Sequence, residues 1–302
     1  MGSFVSGITG CLAFLLYTIN TLFWICPILI ISLLKLLPLR VIRTVCTYLI
    51  DFSASSWISC NGIIERLFHP VKINLECDQP LSTKEWYMVI ANHQSWVDIL
   101  VLQRILNHRI PFLKFFLKQE LIFVPVLGLA WWALDFPFMK RYSPTQLKKN
   151  PKLKGKDIEI TKKACSKFKT KPVSVMNFVE GTRFHKSKHT RQASPFTHLL
   201  KPKAGGMAFA LSAMGEHIHK LVDVTIYYPQ GSPTYWEYIS GKVKHVDVHI
   251  KVTDINDKMR GDYTKDRQFK IDFQAELNKI WKTKDEQLTK MAQQGTPNKE
   301  VL

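Results

Sequence analysis

The 302-residue chain has few acidic residues and no paired cysteines. It contains 24 Asp and Glu against 42 Lys and Arg, a formal net charge of +18, so its partners should be anionic. Its six cysteines include no Cys-x-x-Cys pair, which argues against a disulfide framework or a zinc site and favours free thiols in a reducing compartment. Zinc-finger spacing, an aromatic RNA-binding signature and a basic zipper are also missing. We therefore expect no bound metal and no nucleic-acid partner.

The first 34 residues contain no charged side chain. Residues 8–34 are almost continuously apolar, and this run is slightly longer than the roughly 20 residues that cross a bilayer. Asn20 and Pro27 interrupt it, and a proline breaks helical hydrogen bonding in the preceding turn. The pattern predicts a membrane anchor, formed either by one spanning helix or by two short helices within one leaflet.

Basic residues follow the anchor directly, at Lys35, Arg40 and Arg43. By the positive-inside rule, the downstream domain should lie on the cytoplasmic side. A cleaved signal peptide is not expected, because the segment lacks a basic first region and a small-residue cleavage site. We expect a membrane anchor over residues 1–45, one α/β domain over 46–292 and a polar tail over 293–302.

Two later stretches also bear on the membrane. Residues 121–139 are apolar, but Asp135 and two prolines make a second span a poor interpretation and favour a buried core segment. Residues 140–171 carry twelve basic and two acidic side chains. This surplus indicates either a solvated face or a patch that faces anionic lipid.

Strand-like and helix-like patterns alternate through the rest of the chain. The runs at 86–91, 173–179, 221–228 and 243–252 predict strands, and those at 96–106, 158–168, 203–214 and 269–281 predict helices. Such alternation predicts an α/β fold with a mainly parallel sheet flanked by helices. Ligands of such sheets collect at the carboxyl ends of the strands.

Two polar segments follow predicted strands directly. The first is Asn-His-Gln-Ser-Trp-Val-Asp at 92–98, and the second is Phe-Val-Glu-Gly-Thr-Arg at 178–183. His93 and Asp98 suit a base whose tautomer is fixed by a carboxylate. Glu180, Gly181, Thr182 and Arg183 offer a glycine turn, backbone N–H groups and a guanidinium, which suit an anionic oxygen cluster.

In this order and about ninety residues apart, the two segments resemble the signature blocks of the 1-acylglycerol-3-phosphate O-acyltransferase family, the PlsC-like lysophospholipid acyltransferases. Residues 112–114, 124–128 and 136–141 are similar to its intermediate block, and residues 116–143 look closest to the bacterial inner-membrane relative called YihG. Val179 stands where the family usually has proline. Residues 224–229 are a loose substitute for its fourth block, so the choice of acceptor is open.

The resemblance implies a membrane-associated enzyme with a glycerolipid acyltransferase fold and a monotopic anchor, on the bacterial inner membrane if the YihG likeness holds. It implies direct transfer of an acyl chain from acyl-CoA or acyl-carrier protein to the hydroxyl of a lysophospholipid, foremost 1-acyl-glycerol-3-phosphate, with no cofactor. His93 would be the base and Asp98 its partner. Arg183 would hold the acceptor phosphate within the 180–183 turn, supplemented by Lys114, Arg141 and Lys203.

Two other functions remain open from the residues. Ser95 suggests a lipid-acting serine hydrolase, although the Gly-x-Ser-x-Gly elbow of such enzymes is missing. The basic surplus suggests a membrane-tethered protein that binds acidic lipid without turnover. The His93 and Asp98 pair would then be a structural cap on the following helix.

Overall fold

The structure is a computed structural model that describes residues 2–139, 171–263 and 265–294. The predicted helix at 158–168, the candidate Arg141, nearly all of the basic run at 140–171 and the end of the polar tail lie outside these residues.

Six described strands form one mixed, mainly parallel sheet: Lys72–Cys77 (β1), Tyr87–Ala91 (β2), Leu113–Phe115 (β3), Ser174–Asn177 (β6), Lys220–Tyr227 (β7) and His245–Asp254 (β8). Their order in the sheet is β1-β8-β7-β2-β6-β3. Only the β7–β8 pair is antiparallel among the pairings of this sheet. The predicted α/β class is confirmed, and β2 lies between β6 and β7 with all three running in the same direction.

Helices cover both faces of the sheet. They are α3 at Val97–Leu106, α6 at Ala204–Met214, α7 at Tyr235–Ile239 and α8 at Arg267–Gln294, while the short α5 at Lys186–Gln192 has no buried residue. Successive side chains of β2 point to opposite faces, so Val89 and Ala91 join one apolar cluster while Met88 and Ile90 join the other. Both clusters are buried, which is why β2 is apolar throughout without alternation.

The N-terminal part is a helical hairpin of α1 at Gly2–Leu34 and α2 at Arg40–Phe68. Helix α1 continues through Pro27 as one helix, so the alternative of two short helices is not observed. By length and composition α1 could cross a membrane, and most of its apolar side chains are exposed. The predicted domain boundary after residue 45 falls inside α2, and its position stays a prediction.

Helix α1 also contacts the α/β domain near both of its ends. The Ser6 hydroxyl donates to the Ser240 carbonyl at 2.9 Å, and Lys35 forms an ion pair with Asp135. At about 1.5 Å per residue the helix is roughly 50 Å long. Helix α1 therefore lies along the surface of the α/β domain and contacts it near both helix ends.

The second apolar stretch is not a second long helix. Its described part contains a short 3-10 turn at 119–123 and α4 at Leu127–Ala133, and the strands β4 at Leu117–Lys118 and β5 at Phe138–Met139 pair with each other. Ala130 and Ala133 are buried, but Phe123 is 83% exposed and Trp132 is 45% exposed. The expected core segment is thus buried on one face only, because a helix of two turns cannot shield all of its side chains.

Candidate active site

The two predicted segments meet at the carboxyl edge of the sheet. Segment 92–98 follows β2, and segment 178–183 follows β6, its parallel neighbour. The Phe184 N–H donates to the His93 carbonyl at 2.7 Å, so the chain immediately after Arg183 is bonded to the histidine backbone. The side-chain amide of Asn92 exchanges two hydrogen bonds of 2.8 and 2.9 Å with the backbone of Ile226 in β7. Three strand ends are therefore fixed around one point.

His93 and Asp98 form the expected pair. The distance from His93 Nδ1 to Asp98 Oδ2 is 2.9 Å. With the proton on Nδ1, the Nδ1–H donates a hydrogen bond to the carboxylate, and Nε2 is the basic nitrogen of the ring. The His93 side chain is 11% exposed, and no described residue forms a hydrogen bond with Nε2. The imidazole is thus largely buried, and its Nε2 nitrogen is not engaged by any described residue.

The Asp98 carboxylate is held from every side. Its Oδ2 also accepts the backbone N–H groups of Gln94 at 2.6 Å and Ser95 at 2.9 Å, and Oδ1 accepts the Tyr228 hydroxyl at 2.6 Å. Burial, together with the Asp98 charge, raises the pKa of Tyr228 well above its usual range, so Tyr228 stays a donor. The same carboxylate thus accepts the backbone N–H groups at the start of α3 and contacts the imidazole of His93.

Aromatic packing fixes the plane of the imidazole. The Phe178 ring stacks on the His93 ring with centroids 3.9 Å apart and planes 15° apart, and Phe115 packs on Phe178 at 6.2 Å. The first residue of the second segment therefore packs against the imidazole of the first segment. The sequence assigns no role to Phe178 or to the Tyr228 hydroxyl, and the position of each at a strand end is the only signal that could have found them.

Glu180 points into the protein. Its Oε1 accepts the His93 N–H at 3.1 Å and its Oε2 accepts the Leu200 N–H at 3.1 Å, while the residue is fully buried. Burial raises the pKa of the Glu180 carboxyl to about 8, although those two N–H groups and the Lys284 ammonium act in the opposite direction. In this geometry Glu180 holds the His93 backbone, whereas the sequence predicts that it meets substrate.

Lys284 is the buried cation behind this edge. Its Nζ lies 2.7 Å from Asp223 Oδ1 and donates to the Val224 carbonyl at 2.6 Å. Burial lowers the pKa of Lys284, and Asp223 opposes that shift. Sequence reasoning missed this residue, although a lysine on the apolar face of α8, three positions after Trp281, was a usable signal.

The turn after β6 is open to solvent. Gly181 has a φ of 69°, a left-handed conformation that favours glycine, and its N–H donates to the Phe178 carbonyl at 2.8 Å. The Thr182 hydroxyl accepts a hydrogen bond from Lys188 Nζ at 2.6 Å. The exposed Arg183 guanidinium lies 4.8 Å from the Trp96 ring centroid, and no carboxylate of the described residues pairs with it. The turn thus presents a guanidinium that is free to meet an anion.

Of the two described lysines predicted to supplement Arg183, Lys114 is buried and Lys203 is exposed. Lys114 is 2% exposed, donates to the Leu134 carbonyl at 2.6 Å and lies 3.6 Å from Asp51, so it sits within an internal ion-pair cluster rather than on an open surface. Lys203 is exposed at the start of α6, and its N–H donates to the Val179 carbonyl at 2.7 Å, which joins α6 to the same turn. Within the described ranges, no three His, Cys, Asp or Glu side chains converge as metal ligands do.

Comparison with known proteins places the chain among acyltransferases. The profile of the Acyltransferase family matches residues 72–229, about half of the chain, and spans both segments. A "1-acyl-sn-glycerol-3-phosphate acyltransferase 2" of Brassica oleracea is 28% identical over 257 residues, which cover 79% of this chain and 61% of that protein. The human "1-acyl-sn-glycerol-3-phosphate acyltransferase delta" is 23% identical over 214 residues, covering 67% of this chain and 52% of that protein. The chain therefore spans between about half and three fifths of the length of these relatives.

A solved structure supports the fold. The crystal structure of the 1-acyl-sn-glycerophosphate (LPA) acyltransferase PlsC from Thermotoga maritima superposes with a TM-score of 0.53 at 17% identity. The alignment covers 96% of this chain and 98% of that one. The helical hairpin and the sheet thus both fall within the shared fold.

Proposed function

Because this chain belongs to the Acyltransferase family, we propose that it transfers an acyl chain from a thioester to the free hydroxyl of a lysophospholipid. The observation that carries the proposal is the buried His93–Asp98 pair at the sheet edge, in which no described residue forms a hydrogen bond with the Nε2 nitrogen of the imidazole. The relatives named above are 1-acyl-sn-glycerol-3-phosphate acyltransferases, which makes 1-acyl-glycerol-3-phosphate the first acceptor to test and phosphatidic acid the expected product.

The proposed reaction has two proton transfers. Nε2 of His93 removes the proton from the acceptor hydroxyl as its oxygen attacks the thioester carbonyl carbon. The tetrahedral intermediate collapses with cleavage of the carbon–sulfur bond, and the imidazolium returns the proton to the departing thiolate. Asp98 stabilises the imidazolium between the two transfers. An imidazole suits both transfers because a histidine side chain ordinarily titrates with a pKa of about 6.5.

The acceptor phosphate belongs with Arg183 in this proposal. A guanidinium can meet two phosphate oxygens at once, and Arg183 has no carboxylate partner among the described residues. Lys203 directly precedes α6 next to the same turn and is the better placed supplement, since Lys114 is already engaged inside the protein. Arg141 stays a candidate from its position in the family block alone. The donor remains acyl-CoA or acyl-carrier protein.

The hydrolase alternative is disfavoured by Ser95. Ser95 is 3% exposed, and its hydroxyl donates to the Pro233 carbonyl and accepts the Val97 N–H at 3.0 Å. Both contacts anchor the start of α3, and neither leaves the oxygen available to attack a carbonyl carbon. A nucleophilic serine would need a base within hydrogen-bond reach, and none bonds to it among the described residues.

We propose that α1 binds the membrane within one leaflet. A spanning helix must leave its soluble domain to cross about 30 Å of hydrocarbon, whereas α1 contacts the α/β domain near both ends. Its outward face carries exposed Phe4, Phe14 and Phe23, among others. The basic residues after α1 favour a cytoplasmic catalytic domain, and a bacterial inner-membrane location rests on the YihG likeness of residues 116–143 alone.

A product assay tests the function. The purified chain in detergent would receive one acyl donor, as CoA or carrier-protein thioester, and one lysophospholipid at a time. We expect thiol release that depends on the acceptor and matches the phospholipid formed. Thiol release without acceptor would favour hydrolysis. Release of neither thiol nor product with either donor would favour the binding protein.

A further inference from the structure

A cavity of about 650 Å³ lies at the closed end of the α1–α2 hairpin, beside α4. It is lined by the end of α1, by the first two turns of α2 and by Trp132 and Ala133 of α4, and Lys171 closes one side. None of its lining residues belongs to segment 92–98 or to segment 178–183. The cavity is therefore separate from the candidate active site.

Of the four basic residues that line this cavity, the two lysines are paired with carboxylates, and the two arginines are not paired with any carboxylate of the described residues. Lys35 forms an ion pair with Asp135, and Lys171 forms one with Asp51. Arg40 and Arg43 also line the cavity, and no carboxylate of the described residues pairs with either. The only hydrogen bond that the Arg43 guanidinium makes among them is to the Leu37 carbonyl, at 3.2 Å. Two guanidinium charges are thus left uncompensated at one wall.

Backbone and side-chain donors add to the positive wall. The 29-residue helix α2 begins at Arg40 without a side-chain cap and without an acidic residue in its first turn. Its first N–H groups and its dipole therefore favour an anion. Ser32 lines the same cavity, is 4% exposed and has an Oγ with no hydrogen-bond partner among the described residues. A buried hydroxyl without a partner is costly, and a bound acceptor oxygen would relieve that cost.

We propose that this cavity binds the phosphate group of an anionic membrane phospholipid. Arg40, Arg43 and the start of α2 hold the phosphate oxygens, and the Ser32 hydroxyl donates to one of them. The rim explains why the ligand is a lipid and not free phosphate. Leu36 is 60% exposed, Val41 is 76% exposed and Trp132 is 45% exposed, so acyl chains find apolar surface directly beside the cationic wall.

The test measures ligand-induced thermal stabilisation of the full chain in a neutral detergent, because a ligand that binds only the folded state raises Tm with its concentration. The probes are dioctanoyl phosphatidylglycerol, dioctanoyl phosphatidylcholine and inorganic phosphate. Phosphatidylglycerol is neither substrate nor product of the proposed reaction, so the result does not depend on that proposal. We expect stabilisation by phosphatidylglycerol at concentrations where the other two probes have little effect.

Variants then localise the site. Arg40→Gln with Arg43→Gln should raise the phosphatidylglycerol concentration for half-maximal stabilisation by about tenfold or more, since charge-assisted hydrogen bonds are lost. Ser32→Ala, which leaves the charges intact, should raise it by about two- to tenfold. Arg66→Gln is the matched control, because Arg66 is exposed on the same helix about 39 Å from Arg40 and should leave the value unchanged.

Three results would overturn the proposal. Equal stabilisation by phosphatidylcholine would remove the requirement for an anion. Equal stabilisation by millimolar inorganic phosphate would make the ligand a free anion instead of a lipid. Unchanged phosphatidylglycerol binding in Ser32→Ala and in the double arginine variant would place the lipid elsewhere. If the double variant does not fold, Ser32→Ala against Arg66→Gln decides.

Discussion

His93 and Arg183 lie at the same edge of one sheet, but they are held in opposite ways. The His93 ring is fixed by Asp98 at 2.9 Å and by the stacked Phe178 ring, and its backbone is fixed by Glu180. The Arg183 side chain is exposed and contacts the Trp96 ring. The proposed base is thus held in place by buried groups, whereas the proposed anion-binding side chain, Arg183, is exposed and can change its conformation.

This difference suits the two tasks. Proton transfer requires a fixed nitrogen whose charge is stabilised when it forms, and the buried Asp98 supplies that. Recognition of a lipid phosphate at a membrane surface requires an accessible cation that can follow its ligand. Substitutions in the fixed region should therefore change turnover or stability, and substitutions of the exposed Arg183 should change acceptor affinity.

Among substitutions of the residues that surround His93, Asp98→Asn should have the largest effect on turnover. An amide carries no negative charge, so it accepts the imidazole, Gln94 and Ser95 N–H groups more weakly than a carboxylate does and cannot stabilise the imidazolium form of His93 by charge. We expect turnover to fall by about 10² to 10⁴. Steady-state thiol release would measure it. Tyr228→Phe is the control, because it removes one partner of Asp98 and keeps the imidazole contact, and an equal loss in both variants would contradict the assignment.

Glu180→Gln should change the pH dependence of stability. Burial raises the carboxyl pKa in the folded state to about 8 from about 4.5, so the folded state binds the proton more tightly than the unfolded state does. The stability that this group contributes is complete below about pH 4.5 and is lost as the pH rises toward 8, with a slope of at most about 1.4 kcal/mol per pH unit.

The variant has no ionisable group at this position. The free energy of unfolding of the wild type minus that of Glu180→Gln should therefore fall as the pH rises from 5 to 8. Thermal unfolding of both proteins over that range would measure the difference, since other titrating groups cancel. A difference that stays constant or grows with pH would show that the carboxylate form of Glu180 is favoured by folding.

Arg183→Lys should raise the KM for the acceptor by about tenfold, because an ammonium cannot meet two phosphate oxygens with a planar fork. The KM for the acyl donor and kcat should change little. Kinetics with each substrate varied separately would measure both constants. Thr182→Val should give a weaker defect of the same kind, since it loses one hydrogen-bonding group. If the donor KM rises instead, this turn serves the thioester side and the proposed orientation is reversed.

Trp96→Leu should have the smallest effect. An exposed cation–π contact contributes about 0.5 to 1 kcal/mol, so the acceptor KM should rise by about two- to fivefold when Arg183 loses the ring that orients it. Trp96→Phe keeps an aromatic face and should restore most of the affinity. Identical acceptor KM values for wild type and Trp96→Leu would mean that the ring does not position Arg183.

The sequence was most informative about the strand ends. The apolar runs at 86–91, 173–179 and 221–228 correspond to β2, β6 and β7, and the prediction of a mainly parallel sheet is confirmed. Parallel strands bring their carboxyl ends to one edge, so the meeting of the two polar segments followed from topology alone. The site at this edge could be predicted because the residue types of segments 92–98 and 178–183, and their order along the chain, are rarely found together by chance.

Side-chain direction was not predictable in the same way. Glu180 lies in the same turn as Arg183, yet it is buried because two N–H groups, from His93 and Leu200, converge on it from distant parts of the chain. Lys114 is buried because the Leu134 carbonyl and Asp51 surround it. A local sequence pattern does not show which distant backbone groups will need a hydrogen-bond partner. The charged residues of a motif could therefore not be sorted from sequence into buried structural residues and exposed ones.

Turnover of purified, folded His93→Ala tests the central claim most directly. The matched control is His219→Ala, an exposed histidine directly before β7 and therefore at the opposite edge of the sheet. We predict that His93→Ala lowers acyl transfer by about 10² to 10⁴ with the melting profile of the wild type, while His219→Ala leaves transfer unchanged. Retention of more than about a tenth of wild-type turnover by His93→Ala would contradict the assignment of His93 as the base.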